Sequence, residues 1–146
     1  MLEIERKFLV KELPDLTGCK NSMITQSYSN KRDDFYEIRL RNYDDKKYYL
    51  DFKGRGTLIR EENGIKITKE QYDKLNIMEK HIVKQRYYIK ENIFLDVYKG
   101  ELEGLIMVEV EGNLDYVTNF KPLKWFDKEV TEDQKYKNRN LFESLH

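Results

Sequence analysis

The sequence predicts a mainly β fold of α+β character, an antiparallel sheet or barrel with a few peripheral α-helices. Three observations predict it. Apolar and polar residues alternate with period two in eight short segments. Clusters of turn-forming residues separate those segments. The polar faces are built from doublets of like charge, which favours closing the sheet around a polar interior.

The strands are expected at 2–10, 24–30, 35–42, 46–53, 57–67, 83–90, 93–99 and 105–112, with turns at "KRDD" (31–34), "YDDK" (43–46), "KGRG" (53–56), "EN" (91–92) and Gly100–Gly104. Three helices complete the pattern. "TKEQYDKLNIMEKH" (68–81) opens with Thr68 and Gln71 at capping-box spacing and places Tyr72, Leu75 and Met78 on one face. A short helix is expected over 114–120. A tail helix starts at Thr131, which repeats the Thr-x-x-Gln opening, and ends in an apolar patch of Leu141, Phe142 and Leu145. At 146 residues, with no linker or repeat, residues 1–146 read as one domain.

Composition excludes several classes. Acids and bases balance at 27 each, so a general nucleic-acid or anionic-membrane surface, which would carry a basic excess, is not expected. Cys19 is the only cysteine, and the two histidines, His81 and His146, are far apart in sequence. A disulfide framework and a Cys- or His-based metal site are therefore excluded. Any metal would be held by carboxylates, which favours hard ions such as Mg²⁺ or Mn²⁺. With no apolar leader and no membrane-length stretch, a soluble, cytoplasmic setting is expected.

The charged faces carry the chemistry. Glu3, Glu5 and Lys7 lie two apart in "EIERKF" and share a face, leaving Ile4 and Phe8 to pack on the other. Arg39 and Arg41, Lys84 and Arg86, and Glu109 and Glu111 form further doublets, while Arg60 and Glu62 share a face and Asp96 sits between Leu95 and Val97. A single stripe of this kind is usually the solvated face of a half-buried sheet. Adjacent like charges repel, however, and they become sensible around a shared lumen in which basic doublets hold a polyanion and acidic doublets hold its divalent cations. Taken singly, Asp51 is expected at the surface or rim, and Trp125 and Phe126 in core or barrel-end packing.

Glu3-x-Glu5-x-Lys7 resembles the ExExK signature of the CYTH superfamily, the triphosphate tunnel metalloenzymes. "QSY" (26–28), "IRLR" (38–41), "FKG" (52–54), "IREE" (59–62), "VKQRYY" (83–88), "LDVYKG" (95–100), "VEVEG" (108–112) and "WFDKEVTEDQKYKN" (125–138) follow in that family's order. The resemblance implies an eight-stranded antiparallel β-barrel forming a charged tunnel, with catalysis dependent on Mg²⁺ or Mn²⁺. It places Glu3, Glu5, Asp96, Glu109 and Glu111 on the metal side. It places Lys7, Arg39, Arg41, Lys53, Arg60, Lys84 and Arg86 on the phosphate side, with Glu62 as an acidic lumen residue. Glu5, Glu111, Lys7 and Tyr28 are the catalytic candidates, although Tyr28 could equally pack in the wall.

Three positions depart from the family's pattern. Gly64 stands where a second acid often follows the Glu62 position, which leaves the acidic set one short; Ser27 and Asp127 replace glycines. The resemblance implies a small-molecule triphosphate substrate, and the absence of sequence beyond the barrel and its helices points to inorganic tripolyphosphate, cleaved to pyrophosphate and phosphate. A class IV-like adenylyl cyclase, a thiamine triphosphatase and a non-catalytic polyphosphate- or nucleotide-binding module are the alternatives. Whether the chain forms a homodimer is left open.

Overall fold

The alternating segments form strands, and the computed structural model describes residues 1–29 and 36–146. The strands are β1 (Leu2–Val10), β2 (Asn21–Tyr28), β3 (Glu37–Tyr43), β4 (Lys47–Lys53), β5 (Ile59–Ile67), β6 (Ile82–Lys90), β7 (Ile93–Tyr98), β8 (Ile106–Glu111) and β9 (Phe126–Glu129). The first eight run antiparallel in the order β5-β4-β3-β2-β6-β7-β8-β1 and close into a barrel through β1 and β5. All eight expected strands are present, with ends moved by a few residues. The turn "KRDD" and the adjoining ends of the expected strands 24–30 and 35–42, at positions 30 and 35, lie outside the described residues.

β9 is the unexpected strand. β1 pairs with β5 only over Leu2–Ile4, and its other half borders β9 at Phe8 and Val10, with a register shift between those two positions. The segment "FDKE" is too short and too polar to show alternation, so only the free edge of β1 explains it.

The "YDDK" turn forms as expected. Asp44 and Asp45 have φ of 57° and 56°, and the Lys46 N–H donates to the Tyr43 carbonyl at 3.0 Å. This is the primed turn that suits the twist of a hairpin. Aspartate tolerates the left-handed region better than most residues, and Asp44 is further held by accepting the Met23 N–H at 2.7 Å.

Apolar packing lies on the outer wall and at one end, because the inside is charged. α1 (Lys69–Leu75) covers Leu40, Tyr48 and Ile67 with Tyr72. α2 (Leu114–Asn119) and β9 flank a second cluster in which Phe8, Val108, Val110 and Phe126 pack, with Phe8 and Phe126 ring centroids 5.0 Å apart. Phe8 therefore points outward into packing, as the alternation requires. A third cluster packs at the lower end of the barrel: Tyr28, Ile82, Tyr98 and Met107 meet Val130, Leu141 and Phe142 from the tail. Leu141 and Phe142 come from α3 (Asn138–Glu143).

The two Thr-x-x-Gln segments behave differently. Thr68 and Gln71 form both bonds of a capping box, at 3.1 and 2.9 Å. α1 nevertheless ends at Leu75 rather than near His81, because Asn76 leaves the helical region (ψ 70°) and its Oδ1 lies 2.9 Å from His81 Nε2. Thr131 caps nothing. Its hydroxyl accepts the Lys7 N–H at 3.0 Å and donates to Glu129 at 2.6 Å, tying the tail to β1. A 3₁₀ turn (Gln134–Tyr136) and α3 replace the continuous helix expected there.

Arg6, on the outer face of β1, is a mechanical tie. It donates through Nε and Nη2 to Glu129 at 3.0 and 2.8 Å, and through Nη1 to the carbonyls of Val117 and Phe120 at 3.1 and 2.9 Å. Arg6→Ala is expected to lower unfolding free energy by about 2 kcal/mol, through lost charged hydrogen bonds and stem packing. Urea denaturation measures this; a change within about 0.5 kcal/mol would contradict the tie.

Candidate active site

Strand parity turns the charged doublets inward. Closure of the sheet brings them around one cavity of about 610 Å³. Every residue expected in the site lines it except Asp96. The chain reversals place the β3–β4 and β6–β7 turns at the upper end and the tail at the lower end.

The two basic doublets come from hairpins set symmetrically about β2, which has β3 and β4 on one side and β6 and β7 on the other, while Lys7 and Arg60 enter from β1 and β5. On the first side Arg39 lies opposite Asp51 in the ladder. Its Nε donates to Asp51 Oδ2 at 3.0 Å, and its Nη2 lies 2.9 Å from the same oxygen. Arg41 Nε approaches that oxygen at 3.3 Å without the alignment of a hydrogen bond. On the second side Arg86 lies opposite Asp96 and grips it with two bonds of 2.8 and 2.9 Å, while Lys84 Nζ sits 2.9 Å away. Each basic doublet is thus backed by one aspartate from the next strand.

Asp51 is therefore not a surface or rim charge. It is 4% exposed, because the guanidinium of Arg39 offsets the cost of burying a carboxylate. Asp96 is fully buried behind Lys84 and Arg86, so it faces cations rather than the other acids. Burial would raise Asp96, yet Arg86 and Lys84 pull it below the usual carboxylate range.

The acidic wall is formed by β1 and β8. Lys7 lies opposite Glu109, a neutralising pair, but Glu5 lies opposite Glu111. Like charges facing each other across a ladder are destabilising. Burial, together with Glu109 and Glu3, pushes the Glu5 carboxyl well above its ordinary value. Burial with Glu3 and Glu109 pushes Glu111 up to about 7. Glu3 and Glu109 go the other way. Burial would raise both, but Lys53 beside Glu3 and Arg86 beside Glu109 hold them well below the carboxylate range.

One carboxylate oxygen from each of Glu3, Glu5 and Glu111 lies within 4.8 Å of the other two. Lys53 donates to Glu3 Oε2 at 3.1 Å and lies 2.8 Å from Oε1, which has no aligned donor. Three converging hard oxygen donors, of which only Glu3 is within ion-pair distance of a basic side chain, fit a divalent cation. Glu62 stands between the two sets, 3.6 Å from Arg39 and 4.0 Å from Lys53.

Sequence reading missed the tail's contribution. Lys137, Asn138 and Arg139 line the same cavity from its lower end. Lys137 and Asn138 end the family-like segment 125–138, but no strand alternation shows that this segment turns into the lumen. Tyr28, buried at this end, accepts a 3.3 Å hydrogen bond from Gln26 Nε2 and stacks obliquely on Phe142 at 5.3 Å. Burial pushes its hydroxyl up to about 12, so it stays protonated near neutral pH. At the upper end the half-buried rings of Tyr43, Tyr49, Tyr88 and Phe94 line the mouth beside exposed Lys46 and Lys47.

The chain matches no protein-family model. It is 38% identical over 153 residues to the inorganic triphosphatase of Nitrosomonas europaea, covering 99% of both chains. It is 34% identical over 146 residues to the inorganic triphosphatase of Acetivibrio thermocellus, covering 95% of this chain and 92% of that one. The chain belongs to the inorganic triphosphatase family of the CYTH superfamily. Its barrel superposes on the crystal structure of the inorganic triphosphatase NE1496 with a TM-score of 0.72, at 36% identity over 98% of this chain and 95% of that one. HpAC1 from Hippeastrum shares the fold at a TM-score of 0.51, with 16% identity over 77% of this chain and 80% of that one.

Within this family's barrel, burial pushes the Lys84 ammonium down to about 8, and Asp96 limits the fall. The protonated form attracts an anion, so Lys84 contributes fully below that pH and is lost above it. Sulfate, whose charge is constant between about pH 7 and 9.5, is expected to bind more weakly as pH rises through about 8. Lys84→Gln should bind less at neutral pH and show a flatter profile by calorimetric titration. An unchanged pH profile in that variant would assign the dependence to another group.

Proposed function

We propose that this chain hydrolyses inorganic tripolyphosphate to pyrophosphate and phosphate in its lumen, with Mg²⁺ or Mn²⁺ as cofactor. The observation that carries this reading is the near full-length likeness to proteins named inorganic triphosphatase. A lumen holding seven expected phosphate-side cations beside three converging carboxylates supports it.

Lys7, Arg39, Arg41, Lys53, Arg60, Lys84 and Arg86 neutralise and orient the triphosphate oxygens. Arginine can do so bidentately and lysine acts as a point charge. Glu3, Glu5 and Glu111 would hold the cation; Asp96 holds Lys84 and Arg86 in place, and Glu109 lies 3.5 Å from Arg86. A divalent cation there supplies positive charge against the phosphate oxygens. Water adds to the terminal phosphorus, the bridging P–O bond breaks in line, and pyrophosphate leaves with that oxygen. The proton that the attacking water loses passes to solvent or to a lumen carboxylate that does not hold the cation. Tyr28, protonated, contributes a polar edge at the lower end of the lumen.

Phosphate release from tripolyphosphate, ATP and thiamine triphosphate, each with Mg²⁺ or Mn²⁺, tests the reading. Tripolyphosphate is expected to be preferred. The aromatic mouth favours a second reading, in which a nucleoside triphosphate leaves its base among Tyr43, Tyr49, Tyr88 and Phe94. A preference for ATP would establish that reading, and cyclic AMP as product would make the chain a cyclase. A single cysteine, Cys19, fits a reducing, cytoplasmic setting.

Two variants separate the roles. Glu5→Gln is expected to lower kcat by roughly 100-fold at saturating cation, as loss of one transition-state charge contact does. Arg39→Ala is expected chiefly to raise KM. Steady-state kinetics on folded variants measures both, and a wild-type kcat for Glu5→Gln would remove that carboxylate from the mechanism.

A further inference from the structure

Gly64 faces the lumen from β5, directly opposite Asp51 on β4. Its φ is not positive, so the backbone does not require glycine. Space does. A Cβ at position 64 would collide with Asp51 Oδ1, although at 3.4 Å its distance to Cγ is ordinary contact. The carboxylate of Asp51 occupies the room that any side chain at 64 would need.

That carboxylate does not itself line the cavity; it lies in the wall with one oxygen against Arg39 Nε, Arg39 Nη2 and Arg41 Nε. Arginine stems are long and lose much rotamer freedom when a ligand fixes them. Anchoring the wall side of Arg39 removes that cost before the anion arrives, and leaves its remaining donors for the lumen. Asp96 holds Lys84 and Arg86 in the same way on the other side of β2.

We infer that Asp51 is a positioning residue for the anion clamp, and that Gly64 is glycine so that Asp51 can occupy its place. This rests on the proposed triphosphate-binding role of the lumen, and it identifies a determinant of substrate affinity outside the groups that touch substrate.

Four proteins test it: Asp51→Asn, Gly64→Ala, Asp51→Ser and the double variant Asp51→Ser with Gly64→Ala. Asp51→Asn and Gly64→Ala are each expected to raise KM for tripolyphosphate about 10-fold, with a smaller change in kcat. In the double variant the methyl group meets no carboxylate, so its KM should equal that of Asp51→Ser alone. Additive losses, or an unchanged KM in folded Asp51→Asn, would overturn the inference. Sulfate affinity, read by calorimetry, carries the same comparison independently of turnover. It separates failure of the positioning role from failure of the hydrolase reading. Should Asp51→Asn not fold, the comparison of Gly64→Ala with the double variant still decides.

Discussion

Charge balance inside a closed barrel is the constraint on which the rest of this structure depends. Each inward strand face is charged, and a buried charge left unpaired costs several kcal/mol. The ladder meets this by register. Lys7 faces Glu109, Arg39 faces Asp51, and Arg86 faces Asp96. Where the register instead places Glu5 against Glu111, the balance is deliberately incomplete, and the local excess of negative charge is what a divalent cation would offset. Stability and function thus meet in one ladder: pairs that satisfy each other build the wall, and the pair that does not marks the site.

The apolar parts follow from that constraint. Because the lumen takes aromatic residues only toward its two ends, the core is distributed over the outside of the wall. α1 and the α2–β9 segment each cover one stretch of it. The tail fills the lower end with Leu141 and Phe142 while presenting Lys137 and Arg139 to the cavity. One short segment therefore supplies packing on one face and charge on the other.

Much of this was legible in the sequence because strand parity is strict. Glu3, Glu5 and Lys7 had to share a face, and the like-charge doublets could be reconciled only around a common interior. Legibility ended where a residue's role depends on a partner distant in sequence. Asp51 read as a rim charge because its position across from Arg39 and Gly64 is set by the β3–β4 and β4–β5 registers. β9 exists because β1 outruns β5, not because "FDKE" favours a strand. Thr68 and Thr131 head identical Thr-x-x-Gln spacings, yet only the first caps a helix. The second is claimed by the backbone of Lys7, a tertiary bond that outweighs the local one.

The tail couples the lumen's charge to the packing of the fold. Lys137 and Arg139 reach the cavity from the same segment whose Leu141 and Phe142 pack against Tyr28 and Tyr98, and Asn138 accepts the Tyr98 hydroxyl at 2.6 Å. A change that loosens this packing is felt in the lumen without altering any residue that lines it.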